Sequence, residues 1–269
     1  MNCERPAADC RRDLPVTHWP ELRASVCDAV AEEIAVALSY NGVSHVVMMM
    51  TPADLEDFAF GFSLSEGVVA RESEIHGTEV LQHDAGIELA VTISNERFAM
   101  LRQVRRNLVG RTGCGLCGEE SLEHAIRPVP RVADGVRIAA TAIDRALSAL
   151  ATRQPLQGST GAAHVAAWCD GSGAIVCARE DVGRHNALDK LIGAVARSTL
   201  ALDGFVLVSS RASYEMVSKS ARTGMQVLVA VSAPTTLAVQ LADQAGLTLV
   251  GFARSGRFSV YSAAQRIAL

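Results

Sequence analysis

FVLVSSRASYEMVSKSARTGMQVLVAVSAPTTLAVQLADQAGLTLVGFARSGRFSVY, residues 205–261, is the stretch that decides the fold. Apolar runs at 205–210 (FVLVSS) and 227–232 (VLVAVS) bracket a helical pattern over 213–222. A second helical pattern at 235–245 is followed by strand-like runs at 247–253 and 258–261. Strands that alternate with helices of roughly ten to fifteen residues predict a three-layer α/β arrangement around a parallel or mixed sheet.

The same texture extends upstream. A helix over Thr141–Thr152 leads to a hairpin, HVAAWCD (164–170), GSG, AIVCARED (174–181), and a helix near 185–197 follows. Before that, RPVPRVADGVR (127–137) is rich in Pro and Arg and reads as a link between two domains. The N-terminal part has another character. Residues 1–20 carry Pro6, Pro15 and Pro20 with little apolar periodicity, so a flexible tail or an entering extended arm is expected. Glu33–Leu38 and 44–50 (SHVVMMM) are strand-like and separated by Asn41–Gly42, a strong hairpin signal. Thr51 reads as N-cap and Pro52 as first residue of a helix whose apolar face is Leu55, Phe58, Ala59, Phe62 and Leu64, closed by Gly67. IELAVTI (87–93) alternates as a strand, and Asn95 opens a helix through Leu108, with Phe98, Leu101, Val104 and Leu108 on one side and Gly110 at its end. The expected division is a tail (1–20), a smaller α+β domain (21–130) and an α/β domain (131–269).

Composition narrows the class. The chain has 269 residues, 49% hydrophobic and 20% charged, ordinary for a folded globular protein. No apolar run reaches the roughly 18 to 20 residues that span a bilayer. MNCERPAADCRRDLP lacks the apolar core of a secretory signal, so a cytoplasmic protein is expected. With no export signal, the seven cysteines are expected to be mostly free thiols. Cys27, Cys169 and Cys177 read as small buried hydrophobes, and Cys3 and Cys10 as tail residues without a role. A net charge of -4 argues against a nucleic-acid partner. Lys190 and Lys219 are the only lysines, and Arg97, Arg102, Arg105, Arg106 and Arg111 crowd the approach to Cys114 and Cys117. Those arginines are either a solvated helix face or a local positive potential beside a reactive loop.

RTGCGLCGEE (111–120) poses the chemical question, because its two thiols can bind metal, cycle through a disulfide or carry sulfur. Zinc asks for about four ligands, and there is no second C-x-x-C and no H-x-E upstream, as a zinc deaminase requires. A thioredoxin-type pair sits at a helix N-terminus, whereas this pair follows a helix, though a reversible disulfide is sterically open to it. Sulfur carriage asks for an exposed, mobile thiolate, which flanking Gly113, Gly115 and Gly118 allow and Arg111 can stabilise.

Taken together, TGCGLCG (112–118), EDVGRHNALDKLIG (180–193), SSRASYEMVSKSA (209–221), VSAPTTLAVQLA (231–242) and GFARSGRFSVY (251–261) resemble the FdhD family of formate dehydrogenase accessory sulfurtransferases. NGVSHVVMMMTPADLEDFAFGFSLSEG (41–67) resembles it too, so the likeness runs from about residue 25 to the end. It implies a cytidine-deaminase-like larger domain without the zinc machinery, and therefore no metal site of the protein's own. It further implies a persulfide carrier that takes sulfur from a cysteine desulfurase and passes it to the molybdenum (or tungsten) bis-guanine-dinucleotide cofactor destined for formate dehydrogenase. By resemblance Cys114 carries the persulfide, Cys117 is the second thiol, Phe252, Ala253, Arg254, Ser255, Gly256 and Arg257 bind the cofactor, and the protein is a homodimer. The alternative is a non-catalytic chaperone that hands the cofactor over, its cysteines merely redox-protective.

The residues themselves are compatible with that implication. Gly251 and Gly256 flank Arg254 and Arg257 at a strand turn, suiting two guanidiniums to a pyrophosphate and GDP to the part of an analogue. Phe252 is either a stacking platform for guanine or a core residue of its strand. Arg184 and His185 follow a strand end, where ligands of open α/β sheets sit, and either meet an anion or merely open a helix capped by Asp181. Ser209, Ser210, Arg211 and Ser213, and then Pro234-Thr235-Thr236, hold equivalent positions and read as phosphate or pterin contacts or as helix caps.

Overall fold

The computed structural model describes residues 10–20, 25–109 and 128–268. Its larger part is a six-stranded mixed sheet in the order β13-β12-β11-β10-β8-β9. The strands are β8 (His164–Cys169), β9 (Ile175–Asp181), β10 (Phe205–Val208), β11 (Val227–Ala230), β12 (Thr248–Arg254) and β13 (Arg257–Ser262). β10, β11 and β12 are parallel, while β8 and β13 run against them. β9, antiparallel to β8, therefore shares the direction of β10. One edge of the sheet thus collects the carboxyl ends of β9, β10, β11 and β12.

The continuous apolar runs reflect burial on both faces. Val206 and Val208 face one side, where α5 (Arg184–Ala196), α6 (Tyr214–Arg222) and α7 (Thr236–Ala245) contribute Leu188, Met216 and Leu241. Phe205 and Leu207 face the other, covered by Ile143 and Ala146 of α3 (Ala140–Leu150). This is the expected three-layer order. The segment read as a link is packed where it is described. Val132 N–H donates to the Ala245 carbonyl, and the buried Arg266 guanidinium holds the Ala133 carbonyl and the Asp134 carboxylate.

The smaller part is a four-stranded sheet, β4-β3-β6-β5, built from β3 (Ile34–Tyr40), β4 (Val43–Met50), β5 (Ile75–His83) and β6 (Gly86–Ile93). Asn41 and Gly42 both have positive φ (47° and 78°), as the two-residue hairpin turn demands. β5, largely polar and exposed, had no signal in the sequence. Helix α1 (Leu55–Ser65) lays Leu55, Phe58, Ala59 and Phe62 on this sheet. α2 (Asn95–Val109) starts behind Ser94, whose hydroxyl accepts from Arg97 N–H, one residue earlier than the expected Asn95 cap.

Two expectations for this part are corrected. Residues 11–17 are not a loose tail but the extended arm of the alternative expectation: β1 (Arg11–Thr17) pairs with β2 (Ser25–Ala31), and Cys10 is buried against Leu156 of the short α4 (Pro155–Thr160) and Ala163. Thr51 is not an N-cap. The helix begins after Asp54 (φ 52°), because Thr51 is held by the larger sheet instead. Its N–H donates to Asp181 Oδ2, its hydroxyl accepts from Val182 N–H, and its carbonyl accepts from Lys190 Nζ. A buried cross-link outcompetes a local cap.

The two parts meet where α1 crosses α5. A Cβ on Gly61 would lie 1.7 Å from the Asp189 carbonyl oxygen, and one on Gly193 would lie 1.8 Å from that of Asp57, so only glycine permits this approach. Buried charges fasten the crossing. Asp57 accepts from Arg179 and Arg197, while Lys219 donates to Asp189, Ser65 and Glu66. Among the described residues no helix is long and apolar enough to cross a membrane.

Candidate functional site at the carboxyl edge of the sheet

At the β12–β13 end the register slips between Gly251 and Arg254. Val250 and Ala253 both point into the core under α3, so Phe252 is the extra residue of a bulge. Its φ of 51° and its 45% exposure follow. The sequence left Phe252 open between core residue and platform, and the bulge makes it a surface aromatic. A bulky residue at positive φ is uncommon and points to a constrained, functional position. Gly251 must be glycine here, since a Cβ would meet Pro234 Cδ at 2.8 Å. Beyond the bulge Arg254 pairs with Arg257 across a tight turn of Ser255 and Gly256 (φ 76°), pinned to α3 by Gly256 N–H on Asp144 Oδ1. Phe252, Arg254, Arg257, Phe258 and Ser259 line an open pocket of about 330 Å³. Arg254 and Arg257 are exposed and make no ion pair among the described residues.

The loops after β10, β11 and β12 are hydrogen-bonded into one rim. Ala212 N–H donates to Ala233 O, Thr235 N–H to Ala212 O, and Phe252 N–H to Ser232 O. Ser209 is taken up by β8, accepting from Val165 N–H, and Thr235 caps α7 through Ala238 N–H, so both are structural. Ser210 is buried with its hydroxyl on the Arg211 carbonyl, and Ser213 donates to Glu215. Arg211 stands exposed on this rim without an ion pair among the described residues.

The β9 corner is held by a buried carboxylate. Asp181 accepts from Gly183 N–H, Asn186 Nδ2, Thr51 N–H and Lys190 Nζ, the last at 2.6 Å with both side chains fully buried. This fixes the start of α5, where Arg184 and His185 stand. His164 at the head of β8 and Glu215 on α6 join them; sequence reasoning assigned neither a role, although Glu215 falls within the 209–221 motif. His185 Nε2 lies 3.9 Å from Glu215 Oε2, too far for a hydrogen bond. Burial and the Arg184 charge lower the proton affinity of both His164 and His185. Arg184, Arg211, Arg254 and Arg257 thus share one edge of a chain whose net charge is -4, a local positive field suited to an anionic ligand.

Cys114 and Cys117 lie outside the described residues; α2 ends at Val109, ahead of them. Of the other thiols, Cys169 and Cys177 are buried as expected, and burial together with Asp170 pushes the Cys169 thiol up to about 12. Cys27 is exposed on β2, contrary to expectation, because β2 belongs to an exposed two-stranded ribbon. Among the described residues no three His, Cys, Asp or Glu side chains gather in a way that could hold a metal ion.

Comparison with known proteins agrees with this architecture. Residues 31–268 match the model of the FdhD/NarQ family. A protein of Xanthomonas campestris named Sulfur carrier protein FdhD is 53% identical over 247 residues, 91% of this chain and 88% of its own length. A Cupriavidus necator protein of the same name is 54% identical over 241 residues, 89% of this chain and 84% of its own. The crystal structure of a putative formate dehydrogenase accessory protein from Desulfotalea psychrophila superposes with a TM-score of 0.75 at 25% identity, covering 96% of this chain and 98% of that one. With the family model spanning nearly the whole chain and half of all positions shared with these relatives, the protein belongs to the FdhD/NarQ family.

Proposed function

We propose that the protein is a sulfur carrier serving formate dehydrogenase. In this reading Cys114 accepts persulfide sulfur from a cysteine desulfurase, and the acceptor is the molybdenum bis-guanine-dinucleotide cofactor, bound at the carboxyl edge of the large sheet. The transfer onto the carrier balances without an external reductant. The Cys114 thiolate attacks the outer sulfur of the donor's persulfide, the donor's S–S bond breaks, and its cysteine leaves as thiolate. Cys117 is the second thiol of the pair, and the working unit is a homodimer in the cytoplasm.

One observation carries the acceptor half of the reading: the surface aromatic Phe252 beside Arg254 and Arg257, neither of which has an ion pair among the described residues. An aromatic face suits a nucleobase, and paired guanidiniums suit a diphosphate. Ala253 is buried and supports the bulge rather than touching ligand, while Ser255 and Gly256 offer an exposed turn. Arg184, His185, Ser210 and Arg211 extend the same edge toward the rest of a long ligand.

Two measurements test this. Incubation with a cysteine desulfurase and cysteine is expected to add about one sulfur atom, removable by reductant, to the peptide containing 112–118. Cys114→Ala is expected to abolish the adduct without impairing nucleotide binding; an adduct on Cys169 or Cys177 sinks the carrier assignment. Titration of GDP is expected to show binding about ten- to a hundredfold weaker in Arg257→Ala, from the loss of one charge-assisted contact. Equal affinity removes the β12–β13 turn from the site.

A further inference from the structure

The Arg184 guanidinium is unusual for a half-buried charge. It makes no hydrogen bond or ion pair among the described residues, and its Nε is out of contact with solvent. His185 makes no hydrogen bond among the described residues either, and its buried Nε2 stops 3.9 Å short of Glu215. Buried donors left unmade are costly, and native proteins keep them where a partner arrives. The backbone that presents them is not free to relax, because the fully buried Asp181–Lys190 pair anchors the start of α5. His164 enters from β8 and Glu215 from α6, so three elements converge on one spot.

This corner is not part of the Phe252 pocket. From β9 to β12 the sheet order runs through β8, β10 and β11, four interstrand spacings or about 19 Å.

We propose that Arg184 and His185, with His164 and Glu215 behind them, form a second oxyanion subsite that takes a phosphate group and binds one proton with it. The assignment of that phosphate to the dinucleotide ligand rests on the function proposed above; the subsite itself does not. Arg184 supplies the permanent charge. His185 is held neutral by burial, by Arg184 and by Lys219, against the opposing pull of Glu215 and Glu66. His164 is held neutral by burial and Arg184, against Asp181. An arriving dianion offsets the Arg184 charge, so His185 takes a proton from solvent and lies between the phosphate and the Glu215 carboxylate. Glu215, itself bonded to the Ser213 hydroxyl, is placed to stabilise that imidazolium.

The test uses inorganic pyrophosphate and the full chain carrying Arg257→Ala, which weakens the other pocket. Calorimetric titration at neutral pH, in two buffers of different ionisation enthalpy, is expected to show saturable binding with net proton uptake. Adding Arg184→Gln is expected to weaken binding at least about tenfold, and Arg184→Lys to weaken it less. His185→Gln is expected to remove the proton uptake while leaving weaker binding. Should the Gln variant lose its circular-dichroism signature, the imidazole resonances of the single Arg257→Ala protein are followed instead, and His185 is expected to shift on pyrophosphate addition. Equal affinity with and without Arg184, or unmoved His185 resonances, overturns the subsite. GDP that fails to bind the unmodified protein, while pyrophosphate still binds through Arg184, overturns the nucleotide reading and leaves the subsite standing.

Discussion

Lys190→Met is the substitution that best tests how the site is held. Lys190 Nζ donates to Asp181 Oδ2 at 2.6 Å and to the Thr51 carbonyl at 2.9 Å, and neither charged side chain is exposed. Removing one partner of a buried ion pair leaves the other charge without compensation, which costs about 3 to 5 kcal/mol. Asp181 keeps three neutral donors, Gly183 N–H, Asn186 Nδ2 and Thr51 N–H, so the expected loss lies near the lower end, about 3 kcal/mol. With a urea slope of about 3 kcal/mol/M, the upper end for small proteins, the unfolding midpoint moves down by about 1 M. The double variant Asp181→Asn/Lys190→Met carries no unpaired charge and is expected to recover most of that loss. Urea titration followed by circular dichroism reads all three proteins. A single variant within about 0.5 kcal/mol of the parent, the scatter of ordinary surface changes, would refute the argument that this pair fastens Thr51 and α5 together.

Further outcomes follow from the same geometry. Gly193→Ala drives a methyl into the Asp57 carbonyl, backbone against backbone, and is expected to destabilise by about 3 kcal/mol, the upper end of overpacking costs; a thermal melt unchanged from the parent contradicts the crossing described. Because His164 and His185 bind protons less readily folded than unfolded, acidification favours the unfolded chain. Their contribution is intact above about pH 6.5 and is lost as pH falls from there through their lowered folded values, so His164→Gln/His185→Gln is expected to flatten the stability profile in that window. Iodoacetamide at pH 8 is expected to label Cys27 in the native protein and Cys169 only after denaturation, read by peptide mass.

Much of the fold is written locally. Short apolar runs alternating with helical periods specify the three-layer part, and Asn41–Gly42 specifies the β3–β4 hairpin, because those patterns are set by near neighbours in the chain. The motif residues at 112–118 and 251–257 are also local, which is why they identify the family before any coordinates. What the sequence could not decide depends on distant partners. Thr51 looks like a helix cap until Asp181 and Lys190, more than a hundred residues away, capture it. Phe252 looks like a strand residue until the slipped pairing with β13 turns it outward. His164 lies in no motif, and Glu215 lies in the 209–221 motif without a role that the motif discloses; only the convergence of β8, α5 and α6 brings them to Arg184 and His185. Local periodicity chooses the elements, whereas burial of charge and register between strands choose which side chains meet. Those terms act between residues far apart in sequence, so only the tertiary structure decided them.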